Sequence, residues 1–150
     1  MAQKQAVLGV IIGNRDFFPD RLITTARQTL LDVFAALDIE PVILDESTTK
    51  LGAVETWSDA RKCAALFDEH RHRIDGILIS LPNFGDEKAA VEAIKLSGLQ
   101  VPILVQAFPD ALDALTPEFR RDAFCGKISV CNNLYQYGYP YSVPEQHTLR

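Results

Sequence analysis

The feature that most constrains this chain is a set of four short apolar runs, each separated from the next by a stretch of helical periodicity. The first, Ala6-Val7-Leu8-Gly9-Val10-Ile11-Ile12, is near-continuous and β-branched. A strand reads this way when helices cover both of its faces, because neither face then meets water. Pro41-Val42-Ile43-Leu44, Gly76-Ile77-Leu78-Ile79-Ser80-Leu81 and Val101-Pro102-Ile103-Leu104-Val105 follow. Strands alternating with helices are the signature of successive βαβ units. Pro102 has no N–H for the ladder, so it belongs at the start of its strand or on an edge.

The intervening stretches carry apolar residues at i, i+3 and i+4. Leu22, Ile23, Ala26, Leu30, Val33, Phe34 and Leu37 form one stripe, with Asp20 placed to cap the helix. A second helix is predicted from Ser58 to His70, with Ala60, Cys63, Ala64 and Phe67 inward, Ser58 as its cap and Asp59 suited to the positive N-terminus. A third starts near Asp86, presents Ala90, Val91 and Ile94, and stops at Gly98. A fourth runs from Asp122 to Tyr137 with Phe124, Ile128, Cys131 and Tyr135 on one stripe, and Gly138 and Pro140 end it. Right-handed crossovers then give an α/β fold: a three-layer αβα, doubly wound open parallel sheet of four to five strands, Rossmann- or flavodoxin-like. The 150 residues make one domain, 1–150, and an apolar fraction of 47% is enough to supply its core.

Composition excludes several roles. A net charge of −5 with scattered basic residues leaves no electrostatic footprint for nucleic acid. The densest basic run, His70-Arg71-His72-Arg73, reads as a solvated helix end. Ala6 to Ile12 is far shorter than the ~20 residues of a membrane span and has no cleavage site behind it, so neither a membrane segment nor a signal peptide is expected. Cys63, Cys125 and Cys131 lack framework or zinc-knuckle spacing and read as buried, reduced thiols of a cytosolic protein. His70, His72 and His147 form no H-x-x-x-H pair and no carboxylate–His cluster at a strand end, so no metal site is expected in this chain.

Ligands of open α/β sheets bind beyond the carboxyl ends of the strands. The first such loop, Gly13-Asn14-Arg15-Asp16-Phe17-Phe18-Pro19-Asp20, lacks the glycine spacing of a dinucleotide fingerprint or a P-loop. Asn14 and Arg15 instead offer hydrogen-bond donors beside an apolar wall of Phe17 and Phe18, a combination suited to a polyol. The bland alternative is that the aromatics staple the helix start while Arg15 pairs with Asp16. The third-strand loop again sets Asn83 beside Phe84, either as ligand contacts or as an ordinary turn before Asp86. Gln106 opens the fourth-strand loop, facing the crevice or solvent. Gly126, Ser129, Asn132 and Asn133 make the last helix poor by propensity. There Lys127 is either a plain surface charge or a polar contact.

Taken together, these loops resemble the L-fucose/L-arabinose isomerase-like proteins. The carriers are Gly13-Asn14-Arg15-Asp16-Phe17-Phe18-Pro19, Leu81-Pro82-Asn83-Phe84-Gly85, and the Cys125–Gly138 stretch around Gly126-Lys127-Ile128-Ser129-Val130-Cys131-Asn132-Asn133-Leu134. The ending Tyr141-Ser142-Val143-Pro144 through His147-Thr148 fits as well. The resemblance implies the N-terminal domain of a longer, three-domain cytoplasmic enzyme that interconverts aldoses and ketoses through an ene-diol. Residues from about 139 to 150 would then lead to the next domain. It implies Mn²⁺, held by later domains, and a homo-oligomer, trimer or hexamer, with the other domains and a monosaccharide as partners. By position it makes Arg15, Asn83 and Phe84 sugar contacts, with Asn14, Gln106, Lys127 and Asn132 as further substrate-binding candidates and no catalytic residue of its own. A flavodoxin-like or receiver module and half of a sugar-binding protein of the periplasmic or repressor type are the alternatives. Strand one ends without an acidic pair or a Ser/Thr-rich phosphate loop, which disfavours the first, and the missing leader and DNA-binding helices disfavour the second.

Overall fold

The computed structural model describes residues 4–146. His147, Thr148 and the end of the 139–150 tail lie outside the described residues. The element order is β1 (Ala6–Ile12), α1 (Arg21–Ala36), β2 (Ile39–Ile43), α2 (Trp57–Glu69), β3 (Gly76–Leu81), α3 (Glu87–Ser97), β4 (Ile103–Ala107) and α4 (Ala123–Gln136). All pairings are parallel and the strand order is β2-β1-β3-β4. This is the doubly wound three-layer sheet expected. A lone bridge sets Ser142 beside Leu104, its N–H bonded to the Ile103 carbonyl and its carbonyl to the Val105 N–H. A parallel fifth strand would next need an N–H from residue 144, which is Pro144. The fifth position therefore holds a single residue.

Strand alternation divides the core. Val7, Ile11, Ile77, Ile79, Leu81, Ile103 and Val105 face α2, α3 and α4. Val10, Ile12 and Leu78 face α1, against Ile23, Leu30 and Phe34. Phe67 of α2 is fully buried and lies against the bare backbone of Gly9, where a Cβ would stand only 3.0 Å from its ring. Each such buried side chain contributes about 1.5–3 kcal/mol.

Several local expectations shift. β2 spans 39–43 instead of 41–44, and Pro41 sits inside it, tolerated because β2 is an edge strand. β4 starts two residues later than expected and takes in Gln106, because Pro102 only lends its carbonyl to the Ile77 N–H while Ser80 and Leu81 pair with Gln106 and Ala107. Asp20 stands at the N-cap of α1 without a capping bond and instead pairs with Lys50 at 2.8 Å. Val33 and Leu37, expected inward, are exposed. The cap of α2 is Thr56, not Ser58: Thr56 and Asp59 form a reciprocal capping box, which leaves Ser58 inside the first turn. α3 behaves as expected, with Asp86 bonding the Ala89 N–H and Gly98 closing the helix at φ +65°.

The largest correction concerns α4. Its buried residues are Ala123, Gly126, Lys127, Val130 and Leu134, while Phe124, Ile128 and Tyr135 of the expected inner stripe face solvent and Cys131 is half-buried. Two contacts fix this orientation. A Cβ at Gly126 would collide with the Phe84 backbone, so only glycine lets the helix approach there. The Asp110 carboxylate caps the helix from the β4–α4 connection, its two oxygens each accepting an N–H, from Ala123 and Phe124, at 3.0 Å. Lys127 is therefore no plain surface charge. Nor are all three thiols buried: Cys63 is, but Cys125 is exposed.

Candidate functional site

β1 and β3 lie side by side, yet the chain leaves β1 for α1 on one face and β3 for α3 on the other. The crevice between their outgoing loops is the topological switch point, the usual ligand position in open α/β sheets. Here the two loops are tied together. The Gly13 N–H donates to the Ser80 carbonyl at 2.9 Å, extending the ladder one residue past β1. The Asn83 side-chain amide donates to the Asn14 Oδ1 at 2.7 Å, and its own Oδ1 accepts the N–H groups of Arg15 (3.3 Å) and Gly85 (2.9 Å). Asn14 passes the chain on, donating from Nδ2 to Glu55 at 2.7 Å. Both asparagines are fully buried. Buried amides are costly unless bonded, and this pair satisfies itself across two loops that are distant in sequence.

Arg15 crosses the same junction. Its Nε donates to the Gly85 carbonyl at 2.9 Å, its Nη2 pairs with Glu87 and lies 4.0 Å from Asp86, and its guanidinium stacks 4.5 Å over the Phe84 ring. The alternative pairing with Asp16 does not occur, since Asp16 pairs with Lys50 instead. A third of the Arg15 side chain stays accessible. It thus presents a fixed, partly exposed cation at the crevice, flanked by a half-buried aromatic ring. Gly85 makes the turn possible at φ +73°, where a Cβ would also strike Leu81.

The structure brings Asn14, Arg15, Asn83 and Phe84 into one cluster. Gln106 stands one strand away, accepting the Ser80 hydroxyl at 2.8 Å. Of the two loop aromatics, Phe18 is buried and Phe17 stacks on it from outside, 70% exposed. Lys127 and Asn132 do not join the cluster. They line a separate cavity of about 640 Å³ between α4 and residues 141–145, where burial lowers the Lys127 pKa, partly offset by the neighbouring Cys131.

Other members were not legible beforehand. Arg121, in the irregular 108–122 segment, donates to the Pro82 carbonyl at 3.0 Å and lies over the Phe108 ring, holding the third-strand loop from its far side. Glu55 reaches Asn14 because Val54 bridges to Gly13 beyond the end of β1. Beside this network lies a cavity of about 470 Å³ lined by Glu55, Trp57, Asp86, Lys88, Glu92 and Tyr137 among others. Its volume falls within the range of small-molecule sites. Carboxylates, a lysine and a largely exposed Trp57 supply hydroxyl acceptors, a donor and an apolar platform. Glu55 and Trp57 stand between strand and helix with no motif or spacing that singles them out in advance.

Mn²⁺ needs a cluster of hard ligands. Among the described residues no three His, Cys, Asp or Glu side chains converge in that way, so these residues do not fit a metal centre.

A comparison with known families matches residues 9–150 to the family described as fucose/sulfoquinovose isomerase, N-terminal domain. The chain belongs to this family. The match takes in β1 from Gly9, both crevice loops and the whole of α4, so it spans every element described above. No curated protein matches the chain. Among the described residues no helix is long and apolar enough to cross a membrane.

Proposed function

We propose that this domain forms one wall of the sugar site of an aldose–ketose isomerase and supplies no chemistry to the proton transfer itself. The observation that carries the reading is Arg15: a cation fixed by three partners at the switch point of a fucose/sulfoquinovose isomerase domain, with part of its surface left accessible. In this reading the guanidinium donates to sugar hydroxyls and the Phe84 ring packs on the C–H face. Asn14 and Asn83, spent on each other and on backbone groups, act as positioning residues that hold the two loops at a fixed spacing. The nearby cavity around Trp57 gives the ring room. Gln106 lies at the edge of this wall, and Lys127 and Asn132 serve the other cavity. Mn²⁺ would be held by groups outside the described residues, and the working enzyme would be a cytoplasmic homo-oligomer.

The deciding experiment is a crystal structure of the complete isomerase with a polyol inhibitor. The expected result places a polyol hydroxyl within hydrogen-bond distance of Arg15, from the same or a neighbouring subunit. A polyol seated with no atom of this domain in contact would overturn the reading. So would clear Mn²⁺-dependent turnover by the isolated chain.

A further inference from the structure

Four arginines in or just after the connections that leave the carboxyl ends of the strands each lie against a phenylalanine. Arg15 is over Phe84, Arg120 over Phe18, Arg21 over Phe119 at 5.2 Å and Arg121 over Phe108 at 5.7 Å. Two of them are neutralised, Arg15 by Glu87 and Arg120 by Asp122. Arg21 and Arg121 are not. Among the described residues neither forms an ion pair, and each spends one nitrogen on a backbone carbonyl, Arg21 on Glu118 at 2.7 Å and Arg121 on Pro82 at 3.0 Å. These contacts bring the two together, since Glu118 and Phe119, which hold Arg21, stand just before Arg121 in the chain. The carboxylates that could answer them are spent. Asp16 and Asp20 both pair with Lys50, Asp110 caps α4 with both oxygens, and Asp122 holds Arg120. Burial and the neighbouring Arg21 lower the Arg121 pKa, against the opposing pull of Asp110.

From this juxtaposition we infer that Arg21 and Arg121 form an oxyanion subsite of the crevice, which recognises a sulfonate, phosphate or carboxylate group carried by the sugar. The inference rests on the sugar-site reading above and adds a specificity to it. Like charges held side by side without a counter-charge repel, and an anion between them removes that cost. On a chain of net charge −5 such a pair is a local exception and not part of a basic surface. A guanidinium presents its N–H donors in a planar fork that matches an oxyanion, and here one nitrogen of each fork is committed to a carbonyl. The ring contacts and those carbonyl bonds fix both groups in advance, so little side-chain freedom is left to lose on binding. The position suits a substituent of the sugar. Arg121 holds the Pro82 carbonyl and Arg15 the Gly85 carbonyl, three residues further on and at most about 10 Å along the chain. Arg15 and Phe84 then meet the ring and its hydroxyls, and the unpaired arginines meet its charged end.

The test is steady-state kinetics of the complete isomerase on a matched pair of aldoses, one uncharged and one sulfonated at C6, with methanesulfonate as the free-anion probe. The variants are Arg21→Gln, Arg121→Gln and Arg121→Lys. Arg73→Gln, at the amino ends of the strands where Arg73 pairs with Glu40, controls for loss of charge alone. Melting temperatures accompany each variant, and exposed Arg21 can be replaced without disturbing the core. The expected result is a fall in kcat/KM for the sulfonated aldose of about 10- to 100-fold in each Gln variant, chiefly through KM. The uncharged aldose should stay within about twofold, and Arg121→Lys should recover part of the loss. Methanesulfonate should compete with the sulfonated aldose in the wild type and in Arg73→Gln, and lose that competition in the Gln variants. Equal losses on both aldoses would reduce the pair to ties between loops and overturn the subsite. So would methanesulfonate inhibition that persists unchanged in both Gln variants. A wild type that turns over only the uncharged aldose overturns the assignment to a group on the sugar. Arg15→Ala should lower kcat/KM on both aldoses, so failure of the subsite and failure of the sugar wall are told apart.

Discussion

α3 and α4 pack side by side on one face of the sheet, and both carry an apolar stripe at helical spacing. α3 buries its stripe. α4 buries the opposite side and leaves its stripe in solvent. Periodicity states which residues share a face and says nothing about which face turns inward. For α3 the two coincide, because Ala89, Ala90, Ala93 and Ile94 have no rival face to offer. For α4 the choice is made by the glycine that fits against the Phe84 carbonyl and by a carboxylate thirteen residues upstream. Neither is an apolar signal.

The contrast can be broken in three ways, two of them paired substitutions, taken from the largest effect to the smallest. Gly126→Ala forces a methyl into the Phe84 backbone and is expected to cost about 3 kcal/mol or more, read as a drop in denaturant midpoint. Gly98→Ala, at the open end of α3, is expected to cost only about 1 kcal/mol despite its positive φ. Ile94→Ala and Ile128→Ala delete the same atoms from the two stripes. The first should cost about 3 kcal/mol, and the second should stay within about 0.5 kcal/mol. Equal costs would mean that α4 is turned as its periodicity suggests. Asp110→Ala removes two cap bonds and should cost about 1 kcal/mol, with hydrogen exchange accelerated in the first turn of α4 while α3 stays protected.

The thiols sharpen the same picture through pH. Burial pushes the Cys63 thiol up to about 12, because its thiolate would be desolvated against the sheet. Above its ordinary value near 8.5 the unfolded chain has lost this proton and the folded chain has kept it. Stability therefore falls by about 1.4 kcal/mol per pH unit over that window. Melting followed from pH 8 to 10 should show the decline, and Cys63→Ala should flatten it. At pH 8 a thiol reagent should modify exposed Cys125 first, Cys131 more slowly since burial raises its pKa, and Cys63 only on unfolding.

The sheet was legible in the sequence because buried strands need no context: Ala6–Ile12 and Gly76–Leu81 form as written. Boundaries failed where proline had to be weighed against pairing. Pro41 opens the second apolar run yet sits within an edge strand, whereas Pro102, expected at a strand start or on an edge, stands just before the edge strand β4. Strand-end position points to Asn14, Arg15, Asn83 and Phe84, and they do meet. Their partners could not be read in advance. Glu55 arrives through a bridge beyond β2, and Arg121 and Asp110 come from a segment with no periodicity at all. The motif resemblance groups Lys127 and Asn132 with the crevice, but the rotation of α4 carries them elsewhere.

The central functional claim is that Arg15 touches the sugar. Steady-state kinetics of the complete isomerase carrying Arg15→Ala test it most directly, with melting temperature measured alongside. A lost hydrogen bond from a charged donor is worth about 1.5–3 kcal/mol, so the account predicts a fall in kcat/KM of about 10- to 100-fold in a folded enzyme. Unchanged kcat/KM in a folded variant would contradict it, and would leave Arg15 as no more than the tie between two loops.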